Sequence, residues 1–495
     1  MTDTIDQQTH ATLDPSLLGQ LLHEHTAVNE PRLRRLWDYY RNPARGTGSG
    51  EAGRLAQEAG LPARLTTSRE DSYAGTGREI VIENDIAWRI NTIVSFMFGK
   101  PLAIQSTAPD PERAAAIERF LRRVFKCNGG ARFFQDLGLL GSIYGYVDVV
   151  LRVTDSPASG SQDDPQLAER FVLETIEAPR AVPQINPQDY RRLDAYALHF
   201  RRRNTQVEQN HFLSRVRNRV LGQAGRRPSA VTEHTQVWTP HVYQSYIAKP
   251  GVFGGGRRLV EESVNRLGRI PVVHIQNLSQ PFYYEGLSEV EPLIPLQNEL
   301  NTRLSDRANR VTFQSFKMYL GKGIERFTER PVGPGQMWST DNLEASITEF
   351  GGDGDSPSET AHIAEVREAM DKTSTVSPLA AGLLRAKVGN LTSENALRIV
   401  LLGLLATVDK KRLTYGEGIE RICELVLHAA DVHGVLPNRP EERGVRLDWA
   451  EPLPDTDSQL LRNALMKIEV GVPRKQVLTE LGYTDHSEST ALATA

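Results

Sequence analysis

Cysteine is almost missing from this chain. Its 495 residues hold two, Cys127 and Cys423, far apart. That argues against a disulfide framework and a cysteine-based zinc site, and it fits assembly in a reducing cytoplasm. Long apolar runs are missing too. The strongest, Leu397 to Val408, is interrupted by Arg398 and falls short of the roughly 18 to 20 residues that cross a bilayer. The opening stretch, MTDTIDQQTHATLDPSLLGQ, has neither the basic nor the apolar region of a secretory leader. Excess positive charge is missing as well. A formal net charge of −4 argues against a dedicated duplex reader, which carries a basic domain or stripe. What is there is globular: 39% hydrophobic and 24% charged residues, in a length that suggests two to four structural regions.

Signatures of catalysis are also lacking. GGDGDSPSET (351–360) has no lysine and so is no phosphate loop. His-Glu-x-x-His and Gly-x-Ser-x-Gly do not occur, and no glycine cluster leads into a helix with a ribose-binding acid. His23, Glu24 and His25 are adjacent, and adjacent residues do not share a helix face, so they read as a solvated end rather than a metal site. Asp306, Asp353, Asp355 and Glu359 could be imagined as a two-metal nuclease set, but two of them sit in a glycine-rich turn. Residues 201–227 hold eight arginines against one acid, Glu208. They read as a solvated insertion between strands, or as a surface for phosphate or an acidic partner.

Periodicity divides the rest. Residues 1–30 read as polar and mobile and 44–53 as a flexible loop. PRLRRLWDYYRNP (31–43) reads as a short amphipathic helix stopped at Pro43. Ile86, Ile90, Ile93, Val94 and Met97 recur at helical spacing before Gly99, and 111–129 is a second helix with proline at its first position. From Gly141 the pattern turns β-branched and aromatic: 141–153, 195–204, 235–247 and 269–277 read as strands of an antiparallel region. At 286 the helical period returns. Ser288 and Glu291 form a capping box, Pro295 is expected to kink the axis, and Leu296, Leu300, Leu304, Ala308 and Val311 make one narrow apolar stripe. Residues 317–355 read as a hairpin around PVGPG (331–335). Ser356 to Glu359 is a second capping box, opening a helix with Ile363, Val366 and Met370.

A weakly cationic, glycine-punctuated stretch, PLAAGLLRAKVGNL (378–391), then runs into a long helical pattern capped by Thr392 and reaching about Gly434, with bends expected at glycines 403, 416 and 418. A strand at 444–454 returns to the β region. Two helices, 457–471 and 473–482, close the pattern.

The ordered set of parts carries a resemblance. GRIPVVHIQN (268–277) and YEGLSEVEPLIPLQNELNTRLSDRANR (284–310), with Gly268, Arg269, Pro271, Gly286, Ser288, Leu300, Asn301, Ser305 and Asp306, resemble the corresponding stretch of tailed-bacteriophage portal proteins of the long-tailed siphophage type. DIAWRINTIVSFMFGKPLAI (85–104) is similar to that family's early helix, and the likeness spans roughly 30–485. The basic insertion at 205–230 and the acidic tip at 351–355 match least.

The resemblance implies an α+β portal fold. Between a flexible N-terminus (1–30) and tail (486–495) it would have an α/β wing (31–285, with a returning strand at 444–454), stem helices at 286–316 and 356–377, a small α/β clip (317–355), a tunnel loop (378–391), a long kinked helix (392–434) and a helical crown (456–485). It implies a non-enzymatic ring of twelve copies at the capsid vertex of a virion, assembled in host cytoplasm. Double-stranded DNA would pass through it non-specifically and transiently in packaging and ejection. The terminase large subunit and later a head-completion adaptor would dock on it, beside major capsid and scaffolding proteins, with no membrane, metal or cofactor. Arg385, Lys387, Val388 and Asn390 would face DNA from the tunnel loop. Arg303, Asp306, Arg307, Arg310, Glu365 and Glu368 would belong to the stem. The competing expectations are a metal-dependent nuclease using scattered acids and a helical scaffold with no pore.

Overall fold

The strand β4 (Tyr146–Val153), YVDVVLRV, is buried along most of its length. It lies between β5 (Phe171–Ile176) and β11 (Val272–Gln276) in an antiparallel three-stranded sheet. Such a central position explains an apolar run with little polar alternation. Helices α4 (Asp85–Phe98), α5 (Pro111–Cys127), α6 (Ala131–Tyr144) and α10 (Leu402–Val432) share one large core with this sheet through Ile90, Leu121, Leu137, Val149, Ile275 and Ile419. This computed structural model describes residues 13–45, 54–66, 79–154, 165–203, 231–248, 256–315, 318–322, 342–350, 357–381, 398–453, 457–474 and 477–478.

A second sheet is a five-stranded meander of β6 (Ala181–Asn186), β7 (Asp189–Arg203), β8 (Val231–Trp238), β9 (Val242–Ala248) and β10 (Arg258–Val264). Its alternating side chains serve two layers. Tyr196, Leu198 and Trp238 pack on Val150 and Ile176 of the first sheet. Ala195, Ala197 and Val237 face Leu18 and Leu22 of α1 (Pro15–Glu24). Residues 13–30 are therefore not a mobile arm: Asp14 caps α1 by accepting from the Ser16 amide, and the leucines four apart dock on the sheet. A π-helical turn, His25–Asn29, leads into α2 (Glu30–Arg41), which ends at left-handed Asn42.

Smaller elements complete the frame. The pair β1 (Ala44–Arg45) and β2 (Arg54–Leu55) brackets residues expected to be a loop, and α3 (Ala63–Thr66) and α7 (Pro165–Glu169) are single turns. Strand β3 (Leu102–Ser106) pairs with β14 (Val445–Trp449), so the returning strand joins a separate ribbon rather than either larger sheet. Antiparallel β12 (Met318–Lys322) and β13 (Ser346–Phe350) supply the expected pairing in 317–355. The PVGPG turn lies outside the described residues, as do residues 204–230 and 351–356.

Several expectations need correction. The stretch 141–153 is not one strand: α6 runs to Tyr144, Gly145 at φ 89° ends it, and β4 starts at Tyr146. The stretch 235–247 is a hairpin, because Thr239 turns the chain, its Oγ1 accepting from the Val242 amide at 3.0 Å. Pro295 does not kink a helix interior. It sits in the first turn of α8 (Ile294–Ser315), after a 3₁₀ turn, where a missing N–H costs nothing. Helix α9 (Pro357–Ser374) starts at its proline as expected. The long helix α10 is unbroken over 31 residues, about 46 Å at 1.5 Å per residue, and begins at 402 after a break at Leu401; Thr392 lies outside the described residues. Gly416 and Gly418 fall inside it. A Cβ at Gly418 would come within 2.4 Å of Ile275, so that glycine permits close packing. Helix α11 (Asp457–Glu469) follows β14. No described helix is long and apolar enough to cross a membrane.

Candidate channel elements: the stem pair and the base of the loop

Helices α8 and α9 pack side by side through Leu300, Leu304, Ile363, Val366 and Met370. Charges knit their flanks. His362 Nε2 lies 3.0 Å from Glu299 Oε1, and Arg303 Nε donates to the same carboxylate at 2.7 Å. The His362 hydrogen bond, helped by Arg303, holds the Glu299 carboxyl below its ordinary value. Arg310 pairs with Glu359 across the two helices. Asp306 takes Arg64 at 2.6 Å, Glu368 pairs with Lys372 at 3.0 Å, and Glu365 lies 3.7 Å from His362. Arg307 is partly exposed on the same helix. The acids imagined as a nuclease set are thus spent on arginines at Asp306 and Glu359, while Asp353 and Asp355 lie outside the described residues. Among the described residues no group of three or more His, Cys, Asp or Glu could hold a metal. His25 is buried with its Nε2 2.9 Å from the Pro179 carbonyl.

Beside its apolar stripe, α8 carries a polar stripe at four-residue spacing that the apolar reading passed over. The amides of Asp85, Glu83, Val81 and Glu79 donate in turn to Gln297 Oε1 (3.1 Å), Asn301 Oδ1 (3.1 Å), Ser305 Oγ (3.0 Å) and Asn309 Oδ1 (2.9 Å). Asn309 Nδ2 returns a bond to the Glu79 carbonyl at 2.8 Å. Four helical residues advance about 6.0 Å and two extended residues about 6.6 Å. The two repeats stay in step over this span, so an extended segment is strapped antiparallel along α8. The run 297, 301, 305, 309 was the available signal.

The end of α9 meets the second turn of α10. Fully buried Arg89 on α4 pairs with Asp371 at 2.6 Å and Asp85 at 3.1 Å, and donates to Ser374 Oγ and the Val376 carbonyl at 3.0 and 2.9 Å. It therefore fixes the end of α9. Thr375 turns the chain at φ 57°, and its hydroxyl meets that of Thr407 on α10 at 2.9 Å. Residues leaving α9 and residues entering α10 are thus side by side. Arg385, Lys387, Val388 and Asn390 lie outside the described residues.

The long helix α10 is fastened to α6 and to the residues just before α8. Buried Lys411 Nζ donates to Glu289 Oε2 and Ser142 Oγ, both at 2.7 Å. Burial pushes its amine down, and Glu289 opposes that. Tyr415 donates to Asn277 Oδ1 at 3.0 Å. Gly145 and Gly286 cross so closely that a Cβ on either would lie within 2.5 Å of the other's carbonyl oxygen. Ser288 Oγ accepts from the Val290 and Glu291 amides at 3.1 and 3.3 Å, which is Ser288's half of the capping box expected there, leading into the 3₁₀ turn Glu291–Leu293.

The sequence profile described as "Phage portal protein, SPP1 Gp6-like" matches residues 86–492. The chain belongs to that family. The portal protein accordingly has an α+β portal fold and a portal role, in a family of structural rather than enzymatic proteins. Among solved structures, a chain from the virion of a native gene transfer agent particle is similar at TM-score 0.43 and 13% identity, over 80% of this chain and 89% of that one. A chain from the neck of an empty particle of that kind is similar at TM-score 0.43 and 11% identity, over the same shares. No curated protein matches.

Proposed function

We propose that this portal protein assembles as a ring of about twelve copies around an axial channel at one capsid vertex, and that duplex DNA is packaged and ejected through it. The observation that carries the reading is a closed excursion of the chain: Arg89 fixes the end of α9, and Thr375 meets Thr407 in the second turn of α10, so the span between them, which contains 378–391, leaves from and returns to one place. In a ring, that stretch from every copy converges on one axis. One Arg385 and one Lys387 per copy then make a cationic collar. At physiological salt exposed charges act over about 8 to 10 Å, so the collar touches only DNA beside it. Sparse charge suits a conduit, because each phosphate neutralised steepens salt-dependent binding and slows sliding. The chain's net charge of −4, repeated around the ring, repels duplex elsewhere.

Exposed apolar side chains also support self-association. Ile399, Leu402 and Leu413 on the first half of the α10 region, and Leu461, Leu465, Met466 and Val470 at α11, are uncovered in the single chain; patches of this kind mark interaction sites. Residues 317–355 would then be the clip on which the terminase large subunit and later the head-completion adaptor dock, and Arg303, Asp306, Arg307, Arg310, Glu365 and Glu368 would belong to the stem. Major capsid and scaffolding proteins would surround the wing. Lys387→Glu is expected to impair packaging in an in vitro DNA-protection assay while ring formation, followed by light scattering, is unchanged. Loss of rings in that variant would assign the residue to assembly instead.

A further inference from the structure

The segment between β11 and α8 is built to hold an aromatic tip in solvent. The loop 278–287 closes on itself, the Leu287 amide donating to the Leu278 carbonyl at 3.1 Å. Three side chains from the end of β11 and just beyond grip it. His274 Nε2 lies 2.7 Å from the Tyr284 carbonyl, Gln276 Nε2 donates to the Tyr283 carbonyl at 2.8 Å, and Asn277 Nδ2 donates to the Leu287 carbonyl at 3.0 Å. The tip is Phe282, 81% exposed, beside Tyr283, 61% exposed. Phe282 has φ +71°. A bulky residue keeps that conformation only where its surroundings over-determine it, and such residues cluster at functional surfaces. Leu287 and Ile185 extend the apolar patch, and Phe282 leans on Tyr190 with ring centroids 6.1 Å apart. Among the described residues lining the cavity behind the tip, the acids are Glu24, Glu285 and Glu291, against one arginine, Arg32.

A groove of opposite character lies elsewhere on the chain. It has a volume of about 600 Å³ and is walled by Phe98, Leu102, Ile104, Phe125 and Phe134. One side is the outer edge of β3, whose ladder partner β14 occupies the other edge. Its charged lining is Lys100, Arg122 and Lys126 against one acid, Glu118. The N-terminal end of α6 lines the groove and its C-terminal Tyr144 lines the cavity behind the tip. Fourteen helical residues separate them, about 20 Å. With its loop pinned by the β11 bonds, a chain cannot fill its own groove.

We infer that the Phe282–Tyr283 tip of one copy docks in the Phe98–Phe134 groove of the next. This rests on the ring reading and deepens it by naming one contact. The contact joins two different surfaces, which is the head-to-tail kind that closes into rings. Aromatic anchors in a desolvated groove are where interface energy concentrates. Acidic residues behind the tip and basic residues around the groove are complementary, which fixes orientation.

The test uses full-length protein with the photo-crosslinker p-benzoylphenylalanine at position 282. Illumination is expected to link chains, with mass spectrometry placing the crosslink on groove peptides within 98–105 or 118–134 of another copy. Phe282→Ser is expected to raise the concentration for half-assembly roughly tenfold or more, with the circular dichroism of the single chain unchanged. Glu291→Lys is expected to weaken assembly and Lys126→Glu to restore it in the double variant. Wild-type rings with crosslinks on any other surface, or without charge-swap rescue, overturn this contact and leave the portal reading standing. Wild-type protein that forms no rings at any concentration overturns both.

Discussion

Lys411 is a full charge with no exposed surface. Its partners Glu289 and Ser142 come from other parts of the chain, so the ion pair decides how the long helix sits on α6 and the segment before α8. Removing one partner of such a pair leaves an uncompensated buried charge. Glu289→Gln is therefore expected to cost about 3 kcal/mol in denaturant unfolding, whereas Lys411→Met with Glu289→Leu recovers most of it. The pH signature follows. Burial already depresses the Lys411 amine, and Glu289 counters it; without Glu289 the depression deepens. The unfolded chain then binds more protons than the folded one, so stability of the Glu289→Gln variant should rise with pH in thermal melts as pH approaches the ordinary lysine value of 10.5. Glu299 behaves in the opposite sense. Its carboxyl is held below 4.5 by His362 and Arg303, so its contribution is present above about pH 4.5 and lost as pH falls through the lowered value. Wild type and Glu299→Gln should converge in melting temperature below that point. The difference above it should be small and salt-sensitive, because the pair is partly exposed. Of these partners only Arg303, four residues after Glu299 on one helix, is legible in sequence; Lys411 and Glu289 are 122 residues apart, and spacing says nothing about contacts across elements.

At the scale of elements, what is legible is what local chemistry decides. Helices α4, α5 and α9 lie where apolar period, a capping side chain or an N-terminal proline put them. The strand reading of 141–153 failed because Ile143 and Tyr144 suit either state; the change of state hangs on Gly145 and its crossing with Gly286. The hairpin at Thr239 was hidden because its apolar residues keep strand period on both sides of the turn. The strap on α8 was legible in principle, since Gln297, Asn301, Ser305 and Asn309 recur every four residues. Each of its bonds contributes about 1 kcal/mol, and the strap runs from a buried end at Asp85 to an exposed one at Glu79. Asn301→Leu is therefore expected to raise hydrogen exchange at the Glu83 amide, and at Val81 beside it, well before the α8 core opens. Unchanged protection at those amides would show that the strap is held by other contacts. Gly418→Ala is expected to lower the melting temperature, since its methyl meets Ile275 on β11.

At the scale of the whole molecule, the order of parts was the most legible feature. An early helix, a β region, α8, a small antiparallel pair, α9 and a long helix follow one another in the expected chain order among the described residues, in a chain whose residues 86–492 match the family. The loop's own residues were legible as weakly cationic, and the structure adds what the sequence could not show, that Thr375 before that span meets Thr407 after it. A feeble charge matters only if many copies bring it to one place. The most direct measurement is a set of electron micrographs of purified full-length protein, with a gold label attached at position 387. Rings with an axial opening and label at the rim of that opening are the predicted result. Particles without an opening, or label on the outer circumference, would contradict the account.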